Sequence, residues 1–323
     1  MVSKTPFSHR PTLKDFREAQ QRINEVAIHT PIVPLRRYKE EETGIYLKPE
    51  NIQPIGSYKI RGVYNWAAQL PADEREKGFS TISAGNMSQA VGYVANIFGV
   101  PSRAIMFNYT PASKIEACKK YGMEVILLSW EEVMEYLKDL PDDRCFLHPL
   151  EEYLLLDGHG TIGLEIMEDM PDTETIYVAL GAGFLGTGTA LAAKALNPSV
   201  KVIGVNSVNY PHFYESFKRG KPVEEEHLPT LADGTGGLVT DHMLGLVRDV
   251  IDDVVVVPED KIADSIRYLA LENKLVVEGA GALSLAAALM TPKSERGKTV
   301  CVLSGGSIDA ETLNKIISKT YTR

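Results

Sequence analysis

From residue 78 onward the chain repeats one pattern. A short run of apolar and β-branched residues is followed by a longer stretch in which apolar positions return every three or four residues. The short runs are GFSTIS (78–83), SRAIMF (102–107), MEVILL (123–128), ETIYVAL (174–180), VKVIGV (200–205), DVVVV (253–257) and KTVCVLS (298–304). Between them the spacing predicts helices over 86–98, 111–121, 184–195, 259–273 and 310–319. Thr110 is expected as the N-cap of the second, with Pro111 in its first turn. Strands alternating with helices mean βαβ units, so the fold class is α/β, with largely parallel sheet covered on both faces. The alternation lapses over 129–160, where KDLPDDR and HPLEEY look like connectors. It lapses again over 206–249, which is rich in turn residues. A small domain at 72–147, inserted into a larger one made of 1–71 and 148–323, suits this pattern. No internal repeat or low-complexity tract interrupts it.

Composition narrows the picture. The 323 residues carry 34 basic and 43 acidic side chains, a formal charge of −9, with no long basic run. Nucleic acid and anionic membranes are therefore not expected as partners. The start, MVSKTPFSHRPTLKDF, lacks the apolar stretch of a signal peptide, and AGALSLAAALM (280–290) is too short to span a bilayer. Cys118, Cys145 and Cys301 are odd in number and lack metal-ligand spacing. They suit a reducing, cytosolic compartment and packing as small apolar groups.

The candidate chemistry starts at KPENIQPIGSYKIRGVYNW (48–66). Its turn over 53–56 leads into an apparent helix with Lys59 as third residue, among Tyr58, Ile60, Val63, Tyr64 and Trp66. A lysine there either snorkels to water or keeps an amine able to attack a carbonyl. Three glycine loops each follow a strand and precede a helix: SAGNMSQA (83–90), GAGFLGTG (181–188) and SGGSID (304–309). Such junctions bind ligands in open α/β sheets, and a phosphate suits their backbone amides. Gly181, Gly183 and Gly186 also satisfy the dinucleotide fingerprint. That reading needs a carboxylate at the end of the next strand, where Asn206 and Ser207 stand instead. A phosphate loop, a loop able to hold a carboxylate and an imine-forming lysine share one natural ligand, pyridoxal 5′-phosphate.

These stretches resemble the fold-type II pyridoxal-phosphate enzymes, in the threonine dehydratase and serine racemase branch. The resemblance covers about 45 to 310. It implies two open, twisted parallel-sheet domains with the cofactor in the cleft between them. It also implies that Lys59 carries the cofactor, that Asn86 meets its phenolic oxygen, and that Ser304 bonds the ring nitrogen. GAGFL sits where the family wraps the phosphate, implying contacts from Gly181, Ala182, Gly183, Phe184 and Leu185. VEGAGA (277–282) places Glu278 beside the ring. Ser83, Ala84, Gly85, Asn86 and Met87 would hold the substrate carboxylate.

The departures bear on function. Ala84 stands where racemases of this branch carry a proton-handling serine, and a methyl group can neither donate nor accept a proton. Met87 replaces a histidine, offering an apolar surface near the substrate. Phe184 replaces a glycine, its ring either lining the pocket or turned into the core. Asn206 replaces a glutamate that helps bind a cation, so no metal is expected. Ser307 replaces an asparagine near the ring.

What the resemblance implies is elimination of water from a β-hydroxy amino acid such as threonine, with Lys59 removing the α-proton, to give a 2-oxo acid and ammonia. The alternatives are β-replacement or racemisation on the same scaffold, or a non-catalytic cofactor-binding protein. A homodimer is the family's habit. The appended regulatory domain of some biosynthetic threonine dehydratases is not expected. His148, His159 and His242 are expected to be structural, and EEEH (224–227) a solvated loop.

Overall fold

The computed structural model describes residues 10–36, 43–139, 143–223 and 228–321, so the 224–227 run lies outside the described residues. It contains two sheets. The larger takes β1 (Val33–Pro34), β2 (Ile45–Pro49), β7 (Thr175–Ala179), β8 (Lys201–Ser207), β9 (Asp253–Val257) and β10 (Thr299–Leu303). The smaller takes β3 (Phe79–Ile82), β4 (Ser102–Phe107), β5 (Glu124–Leu128) and β6 (Cys145–Leu147). Their orders are β1-β2-β10-β7-β8-β9 and β5-β4-β3-β6. Only the β1–β2 pair is antiparallel. β7 and β10 are buried along their whole length, as strands covered on both faces must be.

The helices Asn86–Phe98 and Phe184–Leu196 follow the sequence expectation closely. Four expectations need correction. The helix Ala112–Lys119 is capped by Pro111, not Thr110. The 259–273 stretch is an α-helix only over Glu259–Tyr268 and then widens to a π-turn at Leu269–Asn273. The 129–160 stretch holds a full helix, Trp130–Asp139, and the start of another, Leu154–Asp169. The 206–249 stretch includes the helices His212–Arg219 and Asp241–Val250.

The signal for Trp130–Asp139 was present in the sequence. Ser129 and Glu132 form a reciprocal cap, Ser129 N–H to Glu132 Oε2 at 2.7 Å and Glu132 N–H to Ser129 Oγ at 3.2 Å. The helix Leu154–Asp169 was hidden by its glycines, which serve packing. A Cβ on Gly158 would lie 2.4 Å from the Arg61 carbonyl oxygen, and one on Gly163 would lie 2.1 Å from that of Thr189. Two helices therefore cross this one at backbone contact. Cys118 and Cys301 are buried and reduced, while Cys145 is only partly buried. Among the described residues no helix is long and apolar enough to cross a membrane.

Candidate active site

Parallel strands that start together end together, and this fixes the site. Pro49 at the end of β2 pairs with Leu303 at the end of β10, and β10 runs beside β7. The segments leaving these strands carry Lys59, Ser304 and Gly181–Gly183, all at the carboxyl edge of the larger sheet where α/β ligands bind.

Lys59 is fixed through its backbone. Gly56, at φ +72°, turns the chain so that 56–58 lies antiparallel to 304–306. Tyr58 N–H donates to the Ser304 carbonyl at 3.1 Å, Gly306 N–H donates to that of Gly56 at 2.8 Å, and Ser57 bridges Gly305. Lys59 is the first residue of the helix Lys59–Gln69 rather than its third. Its amine rests 4.7 Å from the centre of the Tyr58 ring. No carboxylate pairs with it among the described residues. His159 packs edge-on against the other side of this group, its ring 4.7 Å from that of Tyr58. Burial holds its imidazole well below the usual histidine range, with Lys59 and Arg61 acting the same way.

Asn86 links the two sheets' domains at this edge. It opens the helix after β3, donates to Glu278 Oε1 at 2.8 Å and accepts from Ser307 Oγ at 2.6 Å. Glu278 N–H donates to the Gly305 carbonyl at 3.1 Å. A Cβ on Gly305 would lie 2.3 Å from Glu278 Oε1, so the close approach requires glycine. Burial pushes the Glu278 carboxyl up to about 7, and Asp233 adds to this against the opposing effects of Asn86, Lys114 and Lys59.

Ser83, Ala84 and Gly85 are partly exposed in the turn before the helix, as is Asn86 at its start, and Gly85 N–H donates to Ser83 Oγ at 3.2 Å. Met87 is 6% exposed and packs into the principal core, so most of its side chain serves packing rather than an open pocket wall. Gly183, at φ +94°, caps the helix Phe184–Leu196. A Cβ on Gly183 would meet Met243 Cγ at 2.5 Å, so glycine stands where the loop needs it. Of the two placements open to Phe184, the core is the one observed. Its ring lies 6.1 Å from Tyr153, whose hydroxyl is 2.7 Å from His242 Nδ1. Leu185 is buried beside it, and Gly181 and Ala182 are half-buried. Asn206 is committed to structure, donating to the Leu180 carbonyl at 2.7 Å and accepting from Tyr214 N–H at 2.9 Å. No cluster of metal-ligating side chains occurs among the described residues.

This donor set fits pyridoxal phosphate. An amine without a carboxylate partner among the described residues, a buried serine, an amide side chain held by Glu278 and Ser307, and a helix N-terminus with a left-handed glycine all lie on segments leaving the carboxyl ends of the strands. The Ser57 hydroxyl and both His159 ring nitrogens are buried beside Lys59 without hydrogen-bond partners, as expected where a polar group is to be received.

One part of this region went unforeseen. Lys48, Glu50, Gln53 and Arg61, all within the Lys59 stretch, are fully or almost fully buried and converge with Glu165 beneath the lysine's helix. Arg61 binds Glu50 through Nε at 2.7 Å and Nη2 at 2.9 Å, and Glu165 through Nη1 at 2.6 Å and Nη2 at 2.9 Å. Lys48 Nζ donates to Glu165 Oε2 at 2.6 Å and to the Thr30 carbonyl at 2.6 Å. Local sequence carried no signal for it, because the cluster closes only through Glu165, 104 positions beyond Arg61.

Two largely parallel sheets whose carboxyl-edge segments carry a lysine, a serine and a glycine turn at a helix N-terminus define a cofactor-dependent α/β enzyme of fold-type II. The chain belongs to the pyridoxal-phosphate-dependent enzyme family, whose model matches residues 23–305. It is 41% identical to an L-threonine ammonia-lyase of Thermotoga maritima over 95% of this chain and 78% of that one. It is 36% identical to the catabolic L-threonine dehydratase TdcB of Escherichia coli over 94% of this chain and 95% of the relative. Its fold matches maize serine racemase with a TM-score of 0.87, at 31% identity, covering 97% and 98% of the two chains.

Proposed function

We propose that the chain is a pyridoxal-phosphate-dependent ammonia-lyase that removes water from L-threonine or a similar β-hydroxy amino acid, releasing a 2-oxo acid and ammonia. The observation that carries this is the backbone stitching of the Lys59 loop to the Ser304 loop, which holds a lysine without a carboxylate partner among the described residues and an uncharged serine on paired segments. Threonine dehydratases aligned along nearly the whole chain support it.

Bound between these loops, the cofactor supplies the electron-withdrawing ring that weakens the Cα–H bond of an amino acid. Lys59 would anchor it and would be the base that takes the α-proton. Ser304 would meet the ring nitrogen with an uncharged hydroxyl that does not drive it to protonate, which suits loss of a β-hydroxyl. Ser83 and the backbone amides of 84–87 hold the substrate carboxylate, and Asn86 fixes the phenolic side. Gly181 to Leu185 cradle the phosphate at the helix N-terminus. Glu278 orients Asn86 and walls the ring pocket.

The small domain in this reading spans 72–147, and the enzyme is a cytoplasmic homodimer. Exposed Ile28, Ile52 and Val276 support the dimer. Gln53 bonds the Ile28 backbone in both directions and Asn51 bonds the Val276 carbonyl, which brings the backbones on either side of Ile52 near those of the other two.

The likeness to a serine racemase raises a second reading, which Ala84 opposes because the face away from Lys59 has no proton donor there. One experiment separates them. Serine, threonine and 3-hydroxyaspartate are incubated with the holoenzyme in deuterated water, and 2-oxo acid, ammonia and enantiomer ratio are followed. Threonine should yield 2-oxo acid and ammonia, with recovered substrate remaining L. Rapid appearance of D-amino acid would overturn the assignment, as would cofactor binding without turnover of any of the three.

A further inference from the structure

Lys59's helix stands on a buried cluster of two cations and two anions: Lys48, Arg61, Glu50 and Glu165, each no more than 3% exposed. Its polar atoms are closely matched. The guanidinium also reaches Thr161 Oγ1 at 3.0 Å and the Ile28 carbonyl at 2.9 Å, while Thr30 and Gln53 donate to Glu50 at 2.7 and 3.1 Å. Burying four charges gains little over apolar packing of the same volume, whereas unbalancing them is strongly unfavourable. Stability alone is thus a weak reason for such a cluster under a reactive lysine.

Its connections suggest a different reason. Arg61 lies in the same first turn as Lys59, Lys48 lies on β2 against β10, and Ser304 follows β10. The cluster therefore ties the backbone of the lysine to the strand pair that carries its opposite number. Its charges sum to zero.

We propose that this cluster is a charge-balanced frame for Lys59, with Lys48 and Glu165 as positioning residues that act through Arg61. They fix where the amine points and keep a net field away from it. The inference rests on Lys59 being the cofactor-bearing lysine. Fields in this region overlap, since Lys59 and Arg61 both oppose protonation of the buried His159. Burial raises the Glu165 carboxyl, but Arg61 and Lys48 outweigh it and hold that carboxyl below the usual range. The titratable groups that act at Lys59 are Tyr58 under its amine, His159 on Leu154–Asp169, and Glu278, itself influenced by Asp233 and Lys114, while Lys48, Arg61, Glu50 and Glu165 form the cluster beneath its helix.

The test uses full-chain holoenzymes of Lys48→Met, Lys48→Arg, Glu165→Gln and the double variant Lys48→Met/Glu165→Gln. Two quantities are read: the pH midpoint of the absorbance change of the lysine-bound cofactor, which needs no substrate, and the pH at half-maximal kcat. Lys48→Met leaves the cluster at −1 and should move both midpoints up by about one unit, the size expected for a charge near 10 Å at an effective dielectric of about 20. Glu165→Gln leaves it at +1 and should move both down by a similar amount. Lys48→Arg should stay near the parent, and the double variant should return toward it. Glu278 is common to all variants and cancels in the differences.

Midpoints that stay fixed while thermal stability falls would overturn the proposal, as would single variants that shift the same way. If Lys48→Met does not fold, the return from Glu165→Gln to the double variant decides alone. A parent without lysine-bound absorbance would defeat the Lys59 assignment. Shifted absorbance without threonine turnover would defeat only the substrate reading.

Discussion

Lys59 and Lys48 sit in the same apolar stretch, and the fold gives them opposite tasks. Lys48 is wholly buried and its ammonium is used up by Glu165 and a carbonyl, whereas the Lys59 amine lies over a ring face and has no carboxylate partner among the described residues. Sequence pattern made Lys59 conspicuous because it opens a helix after a glycine turn. It concealed Lys48 because a buried ion pair depends on a residue as distant as Glu165, which local spacing does not reveal. The placement of Phe184 was likewise beyond the sequence, since it depends on Tyr153 and His242 from two other helices. Borohydride reduction of the holoenzyme should fix the cofactor on Lys59, and peptide mass mapping locates it. Lys59→Ala should lose turnover by several orders of magnitude while still binding cofactor reversibly. Label on another lysine would displace the whole site.

At the scale of elements, strands were the most legible, because β-branched runs closed by glycine or proline leave little choice. β4 and β9 match their expected limits in full. Helices were legible where they directly followed a clear strand, as Asn86–Phe98 and Phe184–Leu196 do, and illegible where they stood outside that alternation, as Trp130–Asp139, His212–Arg219 and the glycine-rich Leu154–Asp169 do. There the glycines admit the neighbouring helices: Gly158 faces the Lys59 helix, and Gly163 faces the helix Phe184–Leu196. The predicted consequence is sharp. Gly163→Ala gains helix propensity yet drives a methyl group onto the Thr189 carbonyl, which is backbone and cannot rotate away. A loss of about 1–3 kcal/mol in unfolding free energy is expected, read from the denaturant midpoint at unchanged slope. A stabilised variant would mean that the two helices can separate at no penalty.

Across the whole molecule, the α/β class and the two-sheet plan followed from the alternation of elements, and the location of the site followed from the shared carboxyl edge. Its proton balance did not, because burial of single carboxyls is a tertiary property. Burial pushes Asp157 up to about 7, with Asp15 adding and Arg22 opposing, and pushes Glu152 up to about 7 against bonds from Leu154 and Trp66. Glu278 behaves alike. In the unfolded chain these groups titrate near 4. Between about pH 4 and pH 7 the folded state thus holds protons that the unfolded state has lost, and stability falls as pH rises through that window. Glu165 works in the opposite sense, its contribution being lost only in more acidic solution, below the ordinary carboxylate range. The two trends place maximal stability in mildly acidic solution, with a decline toward neutrality. Asp157→Asn isolates one contributor that has no assigned role in the site. An amide has no proton to lose, so the variant should be more stable than the parent at pH 8, by an amount on the order of 2–4 kcal/mol for a shift of this size. That advantage should shrink steadily and vanish near pH 4. Denaturant unfolding of both proteins at half-unit intervals measures it, and parallel pH curves for the two would show that Asp157 is ionised at no penalty in the folded state.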